Sequence, residues 1–307
     1  MTESAASRAF VYAVTGSKEY LAELHRSISV LRAYSDLPII VVTDSSRNEV
    51  DLGQLLKVPF APSINTAAMA PIHFVDKAMD KKFDNKEASI LLKTSLPQVL
   101  SAHSLPLEFE KTIFCYLDSD VFAVDASVNK VFDHFQAPLS FAKDHCAIDR
   151  FSPWALRCTC REPGLLKTMS RKLLGQRTAC SHLRQELARL FAIDTKDGNW
   201  PHWNGGLFLF NDEAKDFFRS WHENTLRCFA DESFENRDQG SLIATVWQQG
   251  MANRQTLADC FNRLLFADDL ALPPKCAFLH LLGKSSSAEH PLMRSVLQKA
   301  LKASPSD

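Results

Sequence analysis

The chain is expected to fold as an α/β protein on a mixed, mainly parallel sheet flanked by helices, and three observations lead there. A strand, a helix and a second strand follow one another at the N-terminus, which is a βαβ unit. The strand-like runs are nearly continuous in apolar residues, as strands covered on both faces are. The 307 residues, 46% of them hydrophobic, suffice for a substantial core in one large domain.

The elements come in order along the chain. "AFVYAVT", Ala9 to Thr15, is a short β-rich run closed by turn residues. "KEYLAELHRSISVLRAY" places Leu21, Leu24, Ile28 and Leu31 on one helical face. "LPIIVVTD", Leu37 to Asp44, is the second strand, and residues 45 to 85 read as loops with short helical pieces. "KEASILLKTSLPQVLSAH" is helical, with Pro97 marking a kink or a start. "KTIFCYL", Lys111 to Leu117, is a third strand, followed by two aspartates and the apolar run "VFAV". "APLSFAKD", Ala137 to Asp144, is a further strand.

From about 145 to 198 the texture changes. Cysteines and basic residues accumulate around two amphipathic stretches, "LLKTMSRKLLG" and "SHLRQELARLFAI", which reads as a helical insertion packed on the main sheet. "GGLFLFN" returns to strand, and a long helix then carries Phe217, Phe218, Trp221 and Leu226. "DQGSLIATVWQQG" is helix, "KCAFLHLLGK" is a strand running into a glycine turn, and the tail ends in a short amphipathic helix. There is no internal repeat and no clear linker, so 1–307 reads as a single domain with 145–198 inserted.

Charge and cysteine usage narrow the classes. Basic and acidic side chains nearly cancel, 35 against 36, so nothing draws the chain to a nucleic-acid backbone. The N-terminus lacks the order of a signal peptide, and no apolar run approaches the roughly 20 residues that span a bilayer. A cytoplasmic protein is expected, in contact with a membrane at most peripherally; the tail helix could lie on an acidic membrane, but so short a segment is better explained by docking on the protein's own surface. Eight cysteines in a chain of this length are expected to be mostly reduced and buried. Cys158-Thr-Cys160 and Cys180-Ser-His182, with Cys146 nearby, offer ligands of the type zinc takes, although the spacings are looser than a C-x₂-C knuckle; buried thiols are the alternative.

Ligands of open α/β sheets bind at the carboxyl ends of the strands. Thr15-Gly16-Ser17, Asp44, Asp118-Ser119-Asp120, and His280 with Gly283-Lys284 all fall at such ends. A hard cation such as Mg²⁺ or Mn²⁺ binds through one or two carboxylates and the substrate's phosphates. In an extended D-x-D the two carboxylates leave opposite faces of the strand, so a turn at Ser119 is needed to bring both to one ion. The triplet alone also suits a solvated turn. Asp238 also suits a helix cap, and Lys93 and Lys284 solvated positions.

The order of several short motifs does more. "YLDSDVFAVD" resembles the metal-binding stretch of GT-A glycosyltransferases, and "AVTGSKEYLAELHRSISVLRAY" resembles the first strand and helix of the glycogenin-like group, glycosyltransferase family 8 and relatives. "LLKTSLPQVL", "HWNGGLFLFN", "DQGSLIATVW" and "FLHLLGK" resemble further stretches of that group in the same order, together spanning about residues 9 to 285. The resemblance implies a GT-A (Rossmann-like) fold. It also implies Mn²⁺ or Mg²⁺ held by Asp118, Asp120 and His280, with Asp118 also on the ribose. Lys93, Ser119, Gly283 and Lys284 would meet the donor, with Tyr12, Thr15 and Tyr20 near the nucleoside end. Asn204, Gly205, Asp238 and Gln239 would line the sugar. Lys284 comes after His280 by fewer residues than in that group, and the segment before Asn204 is longer.

The function this resemblance implies is that of a metal-dependent transferase moving a sugar from a nucleoside diphosphate donor, a UDP-sugar, with retention of configuration. Its acceptor would be a saccharide, a lipid-linked saccharide or a protein, and Trp200 and Trp203 could stack on a sugar or pack inside. The alternatives are a nucleotidyltransferase acting on a sugar phosphate and a transferase-like protein that only binds. A nucleotidyltransferase needs a glycine-rich phosphate loop, and "AVTGSKEYL" supplies one glycine.

Overall fold

The computed structural model describes residues 6–57, 71–156, 158, 160, 179–266, 275–282, 287 and 289–303. The chain divides into two compact units, one made of 1–142, 206–215 and 257–307, the other of 143–205 and 216–256. "LLKTMSRKLLG", Gly283 and Lys284 lie outside the described residues.

The first unit is built on strands β1 (Ser7–Ala13), β2 (Ile39–Thr43), β3 (Ile72–Asp76) and β4 (Thr112–Leu117). With β6 (Leu139–Ala147) and β7 (Pro201–Phe210), which reach this unit through Ala142 and from Gly206, they form one sheet of order β3-β2-β1-β4-β7-β6. The β1–β2, β2–β3 and β1–β4 pairs are parallel, and β4–β7 is antiparallel. β2 is buried along its whole length, as its apolar sequence requires.

Helix α1 (Lys18–Arg32) connects β1 to β2 and buries Leu21, Leu24, Ile28 and Leu31, the stripe expected from its periodicity. A four-residue helix, α2 (Leu52–Leu55), comes after β2. The stretch expected to be one helix around Pro97 is two, α3 (Asn85–Thr94) and α4 (Leu96–Ser101), with the proline in the first turn of α4 where a missing N–H does no harm. Asp84 and Glu87 start α3 as a reciprocal cap, each side chain accepting the other's backbone N–H at 2.7 and 3.1 Å.

A second sheet of this unit joins β5 (Val121–Ala123), β9 (Phe278–Leu281) and β8 (Arg263–Leu265) in the order β5-β9-β8. The tail helix, α9 (Pro291–Ala303), buries Leu292, Met293, Val296, Leu297 and Ala300 in the core of this unit. Its apolar face is therefore covered by the protein, not left for a membrane. No helix among the described residues is long and apolar enough to cross one.

The second unit contains α5 (Ile148–Ala155), α6 (His182–Phe191), α8 (Arg237–Gln248) and all but the first residue of α7 (Lys215–Phe229). Helices α5, α6 and α8 pack on one another, burying Ile148, Leu183, Leu187 and Leu242. Trp200 and Trp203 are buried here. Trp200 stands edge-on to Trp247 at 5.4 Å and donates its indole N–H to the Ala252 carbonyl at 2.9 Å, so packing accounts for it.

Candidate functional site

In the first unit the sheet turns back on itself at β1. β2 and β3 lie on one side of that strand and β4 on the other, so the carboxyl ends of β1 and β4 flank a topological switch point. Gly16 just beyond β1 holds φ at +114°, a conformation that favours glycine, and a Cβ there would meet Asn85 at 2.8 Å. Thr15 is tied down rather than open. Its hydroxyl donates toward the Asp44 carbonyl at 2.8 Å, and its N–H reaches Ser89 at 3.1 Å.

At the end of β4 the chain reverses. The Asp118 N–H bonds the Gly206 carbonyl at 2.8 Å, and the Val121 N–H returns to the Asp118 carbonyl at 3.0 Å. That turn, through Ser119, is what an extended D-x-D lacks, and it faces both carboxylates the same way. Antiparallel pairing of β5 with β9 sets Val121 opposite His280, and the Leu281 N–H bonds the Asp120 carbonyl at 2.9 Å. Strand register thus carries His280 to Asp120, with Nε2 3.5 Å from Oδ1. One ligand atom from each of Asp118, Asp120 and His280 fits within a 4.8 Å cluster.

Gly206 makes this possible. A Cβ on it would stand 2.2 Å from Cε1 of His280 and 2.7 Å from Nδ1, so only glycine leaves room for the imidazole. The second glycine of "NGG" inside a strand is the sequence signal for such a close approach. Lys93, in the last turn of α3, is buried with its ammonium 3.7 Å from Asp118 Oδ1 and 5.8 Å from the centre of the Tyr116 ring. The Tyr116 hydroxyl donates to Asp118 at 2.5 Å.

Burial raises the Asp118 carboxyl above its ordinary range; Lys93 opposes the rise, Asp120 adds to it, and His280 and the tyrosine bond oppose it. The donor set, two carboxylates and an imidazole, suits Mn²⁺ or Mg²⁺ with coordination positions to spare.

The remaining site residues fall elsewhere in the fold. Tyr12 is buried in the core of the first unit, its hydroxyl bonded to Ser27, which in turn donates to the Val121 carbonyl. Burial also drives its phenol far above the ordinary range. Tyr12 thereby ties β1 and α1 to the start of β5, and Tyr20 is exposed.

Asn204, Gly205, Asp238 and Gln239 belong to the second unit. Asn204 donates to Asp144 Oδ2 at 2.9 Å. The Gln239 amide accepts from the Gly205 N–H at 3.3 Å and donates to the Trp203 carbonyl, with His202 Nδ1 at 3.0 Å. Asp238 sits in the first turn of α8, where its carbonyl receives the Trp221 indole N–H at 3.3 Å and the Ser241 hydroxyl at 2.9 Å.

Asp144 and His202, buried partners in this network, carry no motif that sequence reasoning could have found. Burial alone would raise Asp144, but His202, His145 and Asn204 together hold it well below the usual range. Burial pushes His202 down, and the Asp144 carboxylate beside it opposes that fall. Asp144, Cys146 and His202 form a second group able to offer ligand atoms to a cation, and Cys158, Cys160, Cys180 and His182 a third.

No protein-family model matches the chain, and no curated protein matches it in sequence. Its fold is similar to that of solved structures. The glycosyltransferase GlyE of Streptococcus pneumoniae TIGR4 superposes with a TM-score of 0.51 at 15% identity, over 96% of this chain and 60% of that one. The apo form of the same enzyme gives 0.46 at 14% identity, over 96% and 62%, too loose a match to argue from. The chain therefore spans about 60% of the length of the GlyE structure it matches, and what it shares with it is the fold.

Proposed function

We propose that this protein is a metal-dependent glycosyltransferase of the glycogenin-like kind, taking a hexose from a UDP-sugar and retaining its configuration. The observation that carries the reading is the cluster of Asp118, Asp120 and His280 at the switch point of a glycosyltransferase-like sheet, with the buried Lys93 beside it.

Asp118, Asp120 and His280 would hold Mn²⁺ or Mg²⁺, whose bound charge would neutralise the diphosphate as it leaves the anomeric carbon. The residues themselves do the positioning. The backbone bonds at Asp118 and Asp120 lock the turn, Gly206 admits the imidazole, and Tyr116 orients the Asp118 carboxylate. Lys93 supplies a fixed cation on the nucleotide side. Being buried and already turned towards Asp118, it needs little reorganisation when an anionic donor arrives. Lys284 and the Gly283 backbone are assigned to the diphosphate by the motif resemblance. The same resemblance assigns Asn204, Gly205, Asp238 and Gln239 to the sugar. Gln239 is an amide and a poor nucleophile, so retention is best served by a front-face route in which the leaving phosphate takes the acceptor's proton. The 145–198 segment would shape acceptor choice, since loops on a rigid scaffold carry specificity.

The test is sugar-nucleotide turnover with Mn²⁺, measured as UDP release from a panel of UDP- and GDP-sugars. Release above background for a UDP-hexose, abolished by EDTA and restored by Mn²⁺, is the expected result. A folded protein that neither binds nor turns over any member overturns the proposal, and pyrophosphate formation from a sugar phosphate and a nucleoside triphosphate would make it a nucleotidyltransferase.

A further inference from the structure

The third ligand cluster has no part in that chemistry. Cys158 and Cys160 come just after α5, and Cys180 and His182 open α6, so the two pairs are separated in sequence but meet in the second unit. The three sulfurs and the imidazole each place a ligand atom within 4.8 Å of the others. Cys158 Sγ stands 3.9 Å from Cys180 Sγ and 3.0 Å from His182 Nδ1, and Cys160 Sγ stands 3.7 Å from the same nitrogen. In a tetrahedral zinc site with ordinary bond lengths the sulfur–sulfur edge is about 3.8 Å and the sulfur–nitrogen edge about 3.6 Å. Two of the three separations match these edges, and the third opens to it by a movement of about half an ångström.

We propose that Cys158, Cys160, Cys180 and His182 bind a structural Zn²⁺ ion. A disulfide does not explain the cluster: Cys158, Cys160 and Cys180 are not bonded to one another, and 3.9 Å is far from the roughly 2.05 Å of a sulfur–sulfur bond. Core packing does not explain it either. Cys115, Cys228 and Cys276 are buried, with thiols pushed up by that burial, whereas the three clustered cysteines are half-buried and His182 is exposed.

The surroundings supply what thiolate ligands need. The Cys160 N–H points at Cys158 Sγ at 3.3 Å. Ser152 lies 3.1 Å from Cys180 Sγ while its oxygen accepts the Leu183 N–H at 2.9 Å, which leaves its own proton for the sulfur. The N-terminus of α6 adds a favourable dipole beside the anionic sulfurs. The Cys180 N–H bonds the Asp149 carbonyl at 2.9 Å, and Asp149 grips Arg184 with both oxygens at 2.8 and 3.0 Å, fixing α6 on α5. Three thiolates and an imidazole favour zinc over the hard cations, and four protein ligands close the coordination sphere. The three thiol protons are released as the metal binds.

The full-length protein, purified without chelator, should contain about one zinc per chain by elemental analysis. Exchange with Co²⁺ should give the visible bands of a tetrahedral ion with thiolate charge transfer in the near ultraviolet. Cys160→Ser and His182→Ala should lose the metal, and Cys260→Ser, outside the cluster, should keep it. Zinc-free protein whose Co²⁺ form shows no tetrahedral thiolate spectrum would overturn the proposal, as would full zinc in folded Cys160→Ser or an oxidised Cys158–Cys180 pair without metal. Because the Co²⁺ spectrum is read on the unmutated chain, misfolding of a variant does not blunt the test, and neither outcome depends on glycosyl transfer.

Discussion

The acidic cluster after β4 and the thiol cluster before α6 are built in opposite ways. The first draws its ligands from strand ends, two of them two positions apart and the third 160 positions on, and holds them by ladder bonds and by the room Gly206 leaves. The second draws two close pairs from loops and a helix start, partly open to solvent. Two carboxylates and an imidazole beside a buried lysine would leave positions for a phosphate; three thiolates and an imidazole would leave none. The same kind of cluster, a few polar atoms within 4.8 Å, can thus be an exchange site or a staple, and ligand type and number separate the two.

The comparison can be broken at the acidic end first. Asp120→Ala removes a half-open carboxylate that no core packing depends on, so Mn²⁺-dependent turnover should fall about a hundredfold or more with little change in Tm, while zinc content stays whole. Gly206→Ala drives a methyl into His280. Mn²⁺ affinity, read by titration calorimetry, should drop about tenfold or more, and stability by about 1–3 kcal/mol from overpacking.

Lys93→Met sharpens the distinction between metal and nucleotide. It should weaken UDP binding about tenfold, by loss of a buried cation, and leave Asp118 harder to ionise, so that binding of Mn²⁺ alone moves to higher pH. Tyr116→Phe should be the mildest, a few-fold loss of Mn²⁺ affinity as the Asp118 carboxylate loses one orienting bond. A kcat/KM series with Mn²⁺ held in excess checks that this last effect lies in metal binding.

Much of the fold is legible in the chain. β1, β2, β4 and β7 are buried runs whose apolar residues mark them, and α1 and α9 carry clean stripes. β3 falls in a stretch that reads as loop because it is an edge strand with only Val75 buried, and β8 is three residues long. α5 is hidden by Pro153 inside it. Asp118 and Asp120 can be named from "DSD", but the turn that joins their carboxylates depends on a bond to Gly206, and His280 arrives through the β5–β9 register. Register is a long-range property, which local pattern does not encode; the second glycine of "NGG" signals a close approach without naming what approaches. Cys158, Cys160, Cys180 and His182 can be grouped from the sequence as ligand types, and the structure brings the two pairs together while placing Cys146 with Asp144 and His202 instead.

The most direct test is Mn²⁺ titration monitored by electron paramagnetic resonance, with and without UDP, on the unmutated chain and on Asp120→Ala. One Mn²⁺ site that tightens when UDP is added and disappears in Asp120→Ala is the expected result. Equal Mn²⁺ binding in the two proteins, indifferent to UDP, would contradict a metal-held nucleotide at Asp118, Asp120 and His280.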